Sequence, residues 1–192
     1  MPSVALSSAD LYQRRKQMVR RLVAPLLPHP PNVAVEQVGF ARDAFVLGIL
    51  PKNRSPGSIL NPEDALVGTR TTGLLLNYYE TWKQVVGSDD YYLEKAYMHI
   101  HLGTRNTQPR QVLSLHCDPA MHQFEEHYRY KRGPHLHMEG ASPNVDRAHI
   151  SLCLLDPDLG GTDINRFTQS FSAAVHMIAR ELVPSWERAA RA

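Results

Sequence analysis

Apolar and polar residues alternate along four segments in the second half of the chain, a pattern typical of β-strands with one buried face. In the first segment, the apolar Met98, Ile100 and Leu102 alternate with Tyr97, His99 and His101. The other three repeat this division, with the apolar members Leu113, Leu115 and Cys117, then Leu136 and Met138, then Ala148, Ile150, Leu152 and Leu154. If these strands pair in chain order, a sheet over about residues 96–155 has one aliphatic face and one histidine face.

A segment near each end of the chain carries apolar residues at helical spacing, which predicts a helix at each place. Ser7 or Ser8 offers an N-cap for the first, which we expect over about residues 9–24. Its basic residues lie away from the apolar stripe, and we interpret them as a solvated face: Arg14, Arg15, Lys16, Arg20 and Arg21. The second helix, over about residues 163–183, presents Ile164, Phe167, Phe171, Ile178 and Leu182, a stripe that needs the aliphatic face of the sheet as its cover.

The residues between the first helix and the histidine-rich segment predict two strands, a loop and another helix. Residues 33–38 and 40–50 are rich in β-branched and aromatic residues, which predicts a hairpin. Pro, Gly, Asn and Ser are dense over about residues 51–68, which predicts a flexible loop. Apolar residues recur at helical spacing over residues 72–86, ahead of Gly87, which predicts a helix there: Leu75, Tyr79, Trp82 and Val86.

These elements predict a single α+β domain over residues 1–192, a mainly antiparallel sheet packed on one side by the N- and C-terminal helices. The overall charge and the lack of membrane segments limit the class of protein. The formal charge of +2 is too small to indicate a nucleic-acid-binding protein. No apolar run approaches the roughly 18 to 20 residues that cross a bilayer, and the first residues lack a secretory signal pattern. Cys117 and Cys153 lie in apolar segments, which suits reduced thiols. We therefore expect a cytoplasmic protein without membrane contact.

Histidine is concentrated in the predicted sheet, where eight of the ten histidines fall between His99 and His149. Exposed strand positions usually hold Thr, Lys, Glu or Arg, so histidine at six of them indicates imidazole chemistry. Two structural interpretations stay open beside it. The histidines are either the ordinary polar side of a sheet or a buried network satisfied by residues 128–132.

Metal binding is the first functional hypothesis, because neutral imidazole is the commonest ligand for zinc and related ions. A His-x-His pair on a strand presents two rings side by side, as in His135–His137 and His99–His101. The predicted ligands are His99, His101, His116, His135 and His137, and Glu139 or Asp118 could supply an oxygen ligand. The predicted cofactor is zinc or another divalent transition metal, and the predicted activity is metal-dependent hydrolysis.

Phosphate chemistry is the second hypothesis, because clustered imidazoles hold anions and exchange protons near neutral pH. His149–Ile150–Ser151 and His99–Ile100–His101 resemble the paired His-x-Ser/Thr strands of two-histidine phosphoesterases, with His101 in place of a hydroxyl residue. The resemblance implies a hydrolase acting on phosphodiesters or nucleotides. The catalytic candidates are His135, His137, His149 and Ser151, and Arg129, Lys131 and Arg132 would suit a phosphate-bearing ligand.

Two further hypotheses place the function elsewhere. An open sheet face can dock a protein partner, which would make the chain a non-catalytic interaction subunit of a larger complex. The order Pro134, then Pro143–Asn144, then Cys153 before a helix resembles the active-site stretch of ubiquitin-conjugating enzymes, with Ser142 where that family has His. That resemblance implies a thioester on Cys153, whereas its place in an apolar strand pattern suits a buried structural thiol.

Overall fold

Nine β-strands form one antiparallel sheet in the part of the chain that the structure, a computed structural model, describes: residues 5–38, 43–103, 108–119, 134–142, 145–152 and 164–185. The strands are β1 (Ala5–Ser7), β2 (Asn32–Val38), β3 (Ala44–Leu50), β4 (Val67–Gly68), β5 (Leu74–Gln84), β6 (Asp90–Leu102), β7 (Arg110–Cys117), β8 (His135–Ser142) and β9 (Val145–Ser151). Their order is β2-β3-β5-β6-β7-β8-β9, with β1 beside β6 and β4 beside β5.

Two helical segments cover one face of this sheet. Helix α1, residues 8–23, runs through Ser8–Asp10, the π-helical Leu11–Arg15 and Lys16–Val23. The Ser7 hydroxyl caps it by accepting the backbone N–H of Asp10 at 3.2 Å. Helix α2, residues 164–182, consists of Ile164–Met177 and the π-helical Ile178–Leu182. Apolar side chains of both helices share one core with the aliphatic face of the sheet, which confirms the predicted α+β fold: Leu11, Leu22, Phe167 and Phe171 pack with Leu47, Leu76, Met98, Leu113 and Leu136.

Strand β5 shows that the helix predicted over residues 72–86 is wrong. Leu74–Gln84 pairs with β3 on one side and β6 on the other. As a central strand it is buried on both faces, and the side chains of residues 74–80 are all buried. Burial on both faces removes the alternation that identifies a strand. Gly87, interpreted as a helix end, has a φ of 77° and lies in the turn between β5 and β6.

Arg15 corrects the prediction that the basic residues of α1 form a solvated face. Its side chain is fully buried, and its guanidinium group is paired with the equally buried carboxylate of Glu80 on β5. Arg14, the preceding residue, is exposed as predicted, with 82 % of its side chain accessible. The apolar stripe of α1 therefore contains one charged side chain, which has its counter-charge on the sheet.

A loop packs on the opposite face of the sheet, over β2, β3 and β5. It contains the two short 3-10 turns Pro56–Leu60 and Pro62–Asp64, within the region predicted as a loop over about residues 51–68. Ile59 belongs to a second apolar cluster on this face, together with Ala34, Val46, Leu50, Ala65 and Tyr79. The side-chain amide of Asn77 donates a hydrogen bond to the carbonyl of Pro62, which ties the loop to β5. Among the described residues, no helix is both long enough and apolar enough to span a membrane.

Candidate metal centre

The histidine-bearing strands β6, β7, β8 and β9 pair in chain order, as the alternation predicts. In this register Ser114 lies opposite both His99 and His137, and His116 lies opposite both Tyr97 and His135. Neighbours that face each other across an antiparallel pair have Cβ atoms about 4.5–5.5 Å apart. The register therefore gathers histidines from three strands onto the face of the sheet opposite the helices.

Three of these histidines approach one another closely. His116, His135 and His137 each offer a ring nitrogen, and the three nitrogens all lie within 4.8 Å of one another. His135 is 2 % exposed and His137 is 4 % exposed. In the described part of the chain, this is the one group of three or more His, Cys, Asp or Glu side chains with such spacing. Nitrogens that bind one tetrahedral zinc ion lie about 3.4 Å apart, which is within the 4.8 Å limit that these three meet.

His116 is held from two directions by residues of β6. The ring of Tyr97 stacks on the His116 ring, with centroids 3.9 Å apart and planes 15° apart. The Nε2 atom of His99 lies 3.2 Å from the Nε2 atom of His116, within hydrogen-bond distance. His99 is itself buried, at 8 % exposure. The stacked ring of Tyr97 and the Nε2 atom of His99 thus restrict the rotation of the His116 ring.

Tyr97 connects this site to a carboxylate and to a cation. Its hydroxyl donates a hydrogen bond of 2.7 Å to Asp118 Oδ1. Burial, followed by the hydrogen bond to Asp118, raises the pKa of Tyr97 well above its ordinary value, so its hydroxyl remains a neutral donor. The ammonium group of Lys95 lies 5.3 Å from the centre of the Tyr97 ring and 5.6 Å from that of Tyr79. Lys95 therefore places a positive charge close to the ring that covers His116.

His101 and Glu139 lie on the histidine face but outside the group of three. Neither ring nitrogen of His101 has a hydrogen-bond partner among the described residues. Burial lowers the pKa of His101 from its ordinary value of 6.5, and the charge of Glu139 partly opposes that change. Glu139 accepts a hydrogen bond of 3.2 Å from the amide of Gln111. Of the predicted ligands, the structure thus brings together His116, His135 and His137, and places His99, His101 and Glu139 beside them.

Several predicted site residues cannot be placed in this geometry. The backbone of His149 pairs with His137 and that of Ser151 pairs with His135, so both occupy register positions at the site, but their side chains lie outside the described part of the chain. Cys153 also lies outside it, as do residues 128–132, including the three predicted phosphate-binding residues Arg129, Lys131 and Arg132. Their roles stay predictions.

Lys95 and Asn77 belong to this surface but were not predicted there, and Tyr97 was predicted on the histidine face but not as a site residue. Alternation from His99 back along β6 places Tyr97 and Lys95 on the same face, so this signal was present. Asn77 lies opposite His99 on β5, and the assignment of that segment to a helix hid the pairing. Comparison of the chain with protein-family models, curated proteins and solved structures found no match in any of the three.

Proposed function

We propose that the protein is a metal-dependent hydrolase whose zinc, or a similar divalent transition metal ion, is bound by His116, His135 and His137. The observation that carries this proposal is the approach of their three ring nitrogens to within 4.8 Å of one another. The partly buried imidazole of His116 on β7 and the buried imidazoles of His135 and His137 on β8 form a donor set of the kind that late first-row metals prefer. Ligands on strands are also held more precisely than ligands on loops.

The chemistry of hydrolysis follows from the number of ligands. Catalytic zinc sites have three protein ligands, and the fourth position holds water or substrate. Zinc lowers the pKa of a bound water to about 7, which supplies hydroxide at neutral pH. An ion held by His116, His135 and His137 would therefore supply the nucleophile for hydrolysis of a phosphodiester, in which the leaving group would depart with the electron pair of the broken bond to phosphorus.

Lys95 favours a substrate that carries negative charge. Its ammonium group lies 5.3 Å from the centre of the Tyr97 ring, and that ring stacks on His116. A cation on this side of the metal group would attract a phosphodiester more strongly than a neutral ester. We therefore propose phosphodiesters as the substrate class.

The metal site is tested by measuring zinc content and zinc affinity in purified protein. Wild-type protein is expected to bind one equivalent of zinc, and His135→Ala and His137→Ala are expected to lose that binding while their far-ultraviolet circular dichroism spectra remain unchanged. His176→Ala is the matched control, because His176 is exposed on α2, which packs on the other face of the sheet. Zinc binding that survives both sheet variants, or that is lost equally in the control, would refute the proposal.

The reaction is tested with bis(p-nitrophenyl) phosphate and p-nitrophenyl acetate on zinc-loaded protein. Phosphodiester hydrolysis should need zinc and stop with chelator, and Lys95→Met should reduce it more than it reduces ester hydrolysis. Lys52→Met is the control, because Lys52 is exposed in the loop after β3. Equal effects of the Lys95 substitution on both substrates would exclude the proposed preference for phosphodiesters.

A further inference from the structure

We infer that His99 is a positioning residue that holds His116 in the tautomer whose Nδ1 atom binds the metal ion. The inference rests on the proposed function, because it concerns the ligand His116. It assigns a role to a histidine that lies outside the group of three. It also identifies the nitrogen through which His116 binds.

The proton between the two rings is the basis of the inference. The Nε2 atoms of His99 and His116 lie 3.2 Å apart, a hydrogen-bond distance at which, between two neutral rings, one nitrogen donates the proton and the other accepts it. If His116 donates, its Nε2 carries the proton and its Nδ1 keeps the lone pair that a metal needs. If His99 donates, neutral His116 carries its proton on Nδ1, which then cannot bind the ion. Metal binding through Nδ1 therefore requires His99 as the acceptor.

The surroundings of the two rings keep this contact in place. His99 is 8 % exposed, so little water is available to replace it as the acceptor. Tyr97 stacks against the face of His116, and its own hydroxyl is held by Asp118. The ring of His116 is thus restricted at its face by Tyr97 and at its Nε2 edge by His99. A metal ligand whose second nitrogen is held in this way is fixed in both tautomer and orientation.

The inference predicts that an acceptor at position 99 is needed, whereas the ring itself is not. Glutamine can place its side-chain oxygen near the position of the His99 Nε2 atom, so His99→Gln should retain most of the zinc affinity. Leucine offers no acceptor, so His99→Leu should weaken zinc binding by about 10- to 100-fold, the usual effect of removing such a partner. His176→Leu is the matched control, because it removes an exposed histidine on α2, which packs on the other face of the sheet.

The experiment combines zinc titration of the four proteins with nitrogen-15 NMR of His116 in the metal-free wild type and His99→Gln proteins. We expect the NMR to show His116 protonated at Nε2. Of the three variants, we expect only His99→Leu to bind zinc more weakly than wild type. Loss of binding in His99→Gln as large as in His135→Ala would overturn the inference, because His99 would then be a ligand. Equal affinity of His99→Leu and wild type would overturn it as well.

The tautomer measurement separates this inference from the proposed function. Wild-type protein that binds no zinc would refute the metal site, whatever the tautomer of His116. A proton on Nδ1 of His116 in metal-free protein would refute the role of His99, even where zinc binds. If His99→Leu does not fold, the glutamine variant and the wild-type tautomer still decide the outcome.

Discussion

Glu80→Gln should strongly destabilise this fold, because it breaks the buried pair of Arg15 and Glu80. Both side chains are fully buried between α1 and β5. The guanidinium Nε atom lies 3.1 Å and 3.0 Å from the two carboxylate oxygens, and Nη2 also donates to the carboxylate. Burial alone would lower the pKa of Arg15, but the neighbouring carboxylate raises it above its ordinary value, so the arginine stays charged.

Glu80 also accepts hydrogen bonds from two neutral donors on its own strand. The Tyr78 hydroxyl donates to one carboxylate oxygen, and the Trp82 indole N–H donates to the other at 2.9 Å. Glutamine has nearly the same volume, but it removes the charge and replaces one accepting oxygen with a donor. The substitution leaves a buried guanidinium without its counter-charge, which costs about 3–5 kcal/mol. Domains are stable by about 5–15 kcal/mol, so the variant should lose a large part of its free energy of unfolding.

The assay is urea unfolding followed by circular dichroism and tryptophan fluorescence. With a slope of about 2–3 kcal/mol per molar urea, Glu80→Gln should lower the midpoint by about 1–2 M. Arg14→Met is the matched control, because Arg14 is exposed on the same helix and pairs with Asp10 at 3.3 Å. An exposed pair of this kind contributes little, so the control should change stability by less than about 1 kcal/mol.

A double-mutant cycle shows whether the two charges act together. Because Arg15→Met in the Glu80→Gln background removes the uncompensated charge, the double variant should be less destabilised than the sum of the single variants by about 2 kcal/mol or more. Additive effects, or a loss below about 1 kcal/mol for Glu80→Gln, would show that this reasoning about the buried pair is incorrect.

Two other predictions follow from local geometry. A Cβ atom at Gly48 would lie 2.7 Å from both the Tyr78 carbonyl oxygen and Ile59 Cδ1, so Gly48→Ala should destabilise the protein by about 1–3 kcal/mol in urea unfolding. Gly57→Ala, where nothing lies within 4 Å, should have little effect, and equal losses would contradict the packing argument. Burial lowers the pKa of His101 in the folded protein. Below about pH 6.5 the unfolded chain therefore binds more protons than the folded protein, and the free energy of unfolding decreases as the pH decreases. The urea midpoint of metal-free His101→Leu should therefore fall less between pH 7 and pH 5 than that of wild type, and an equal fall would contradict this assignment.

The sequence by itself determined the elements whose signals are local. Alternation over β6, β7 and β8 follows from the two-residue period of a strand, so it predicted which histidines share a face. The apolar stripe of α2 likewise predicted the helix and the face of the sheet that it covers. These features depend on residues that are only a few positions apart, so they can be recognised from the sequence before the fold is known.

Only the tertiary structure decided how distant residues combine. Arg15 resembles its basic neighbours in sequence, and its burial depends on Glu80, which is 65 positions away. Strand β5 was hidden because it is covered on both faces, a property of its central place in the sheet. The approach of His116 to His135 and His137 likewise depends on the register between β7 and β8, because a slip of one residue would turn one set of histidines to the other face.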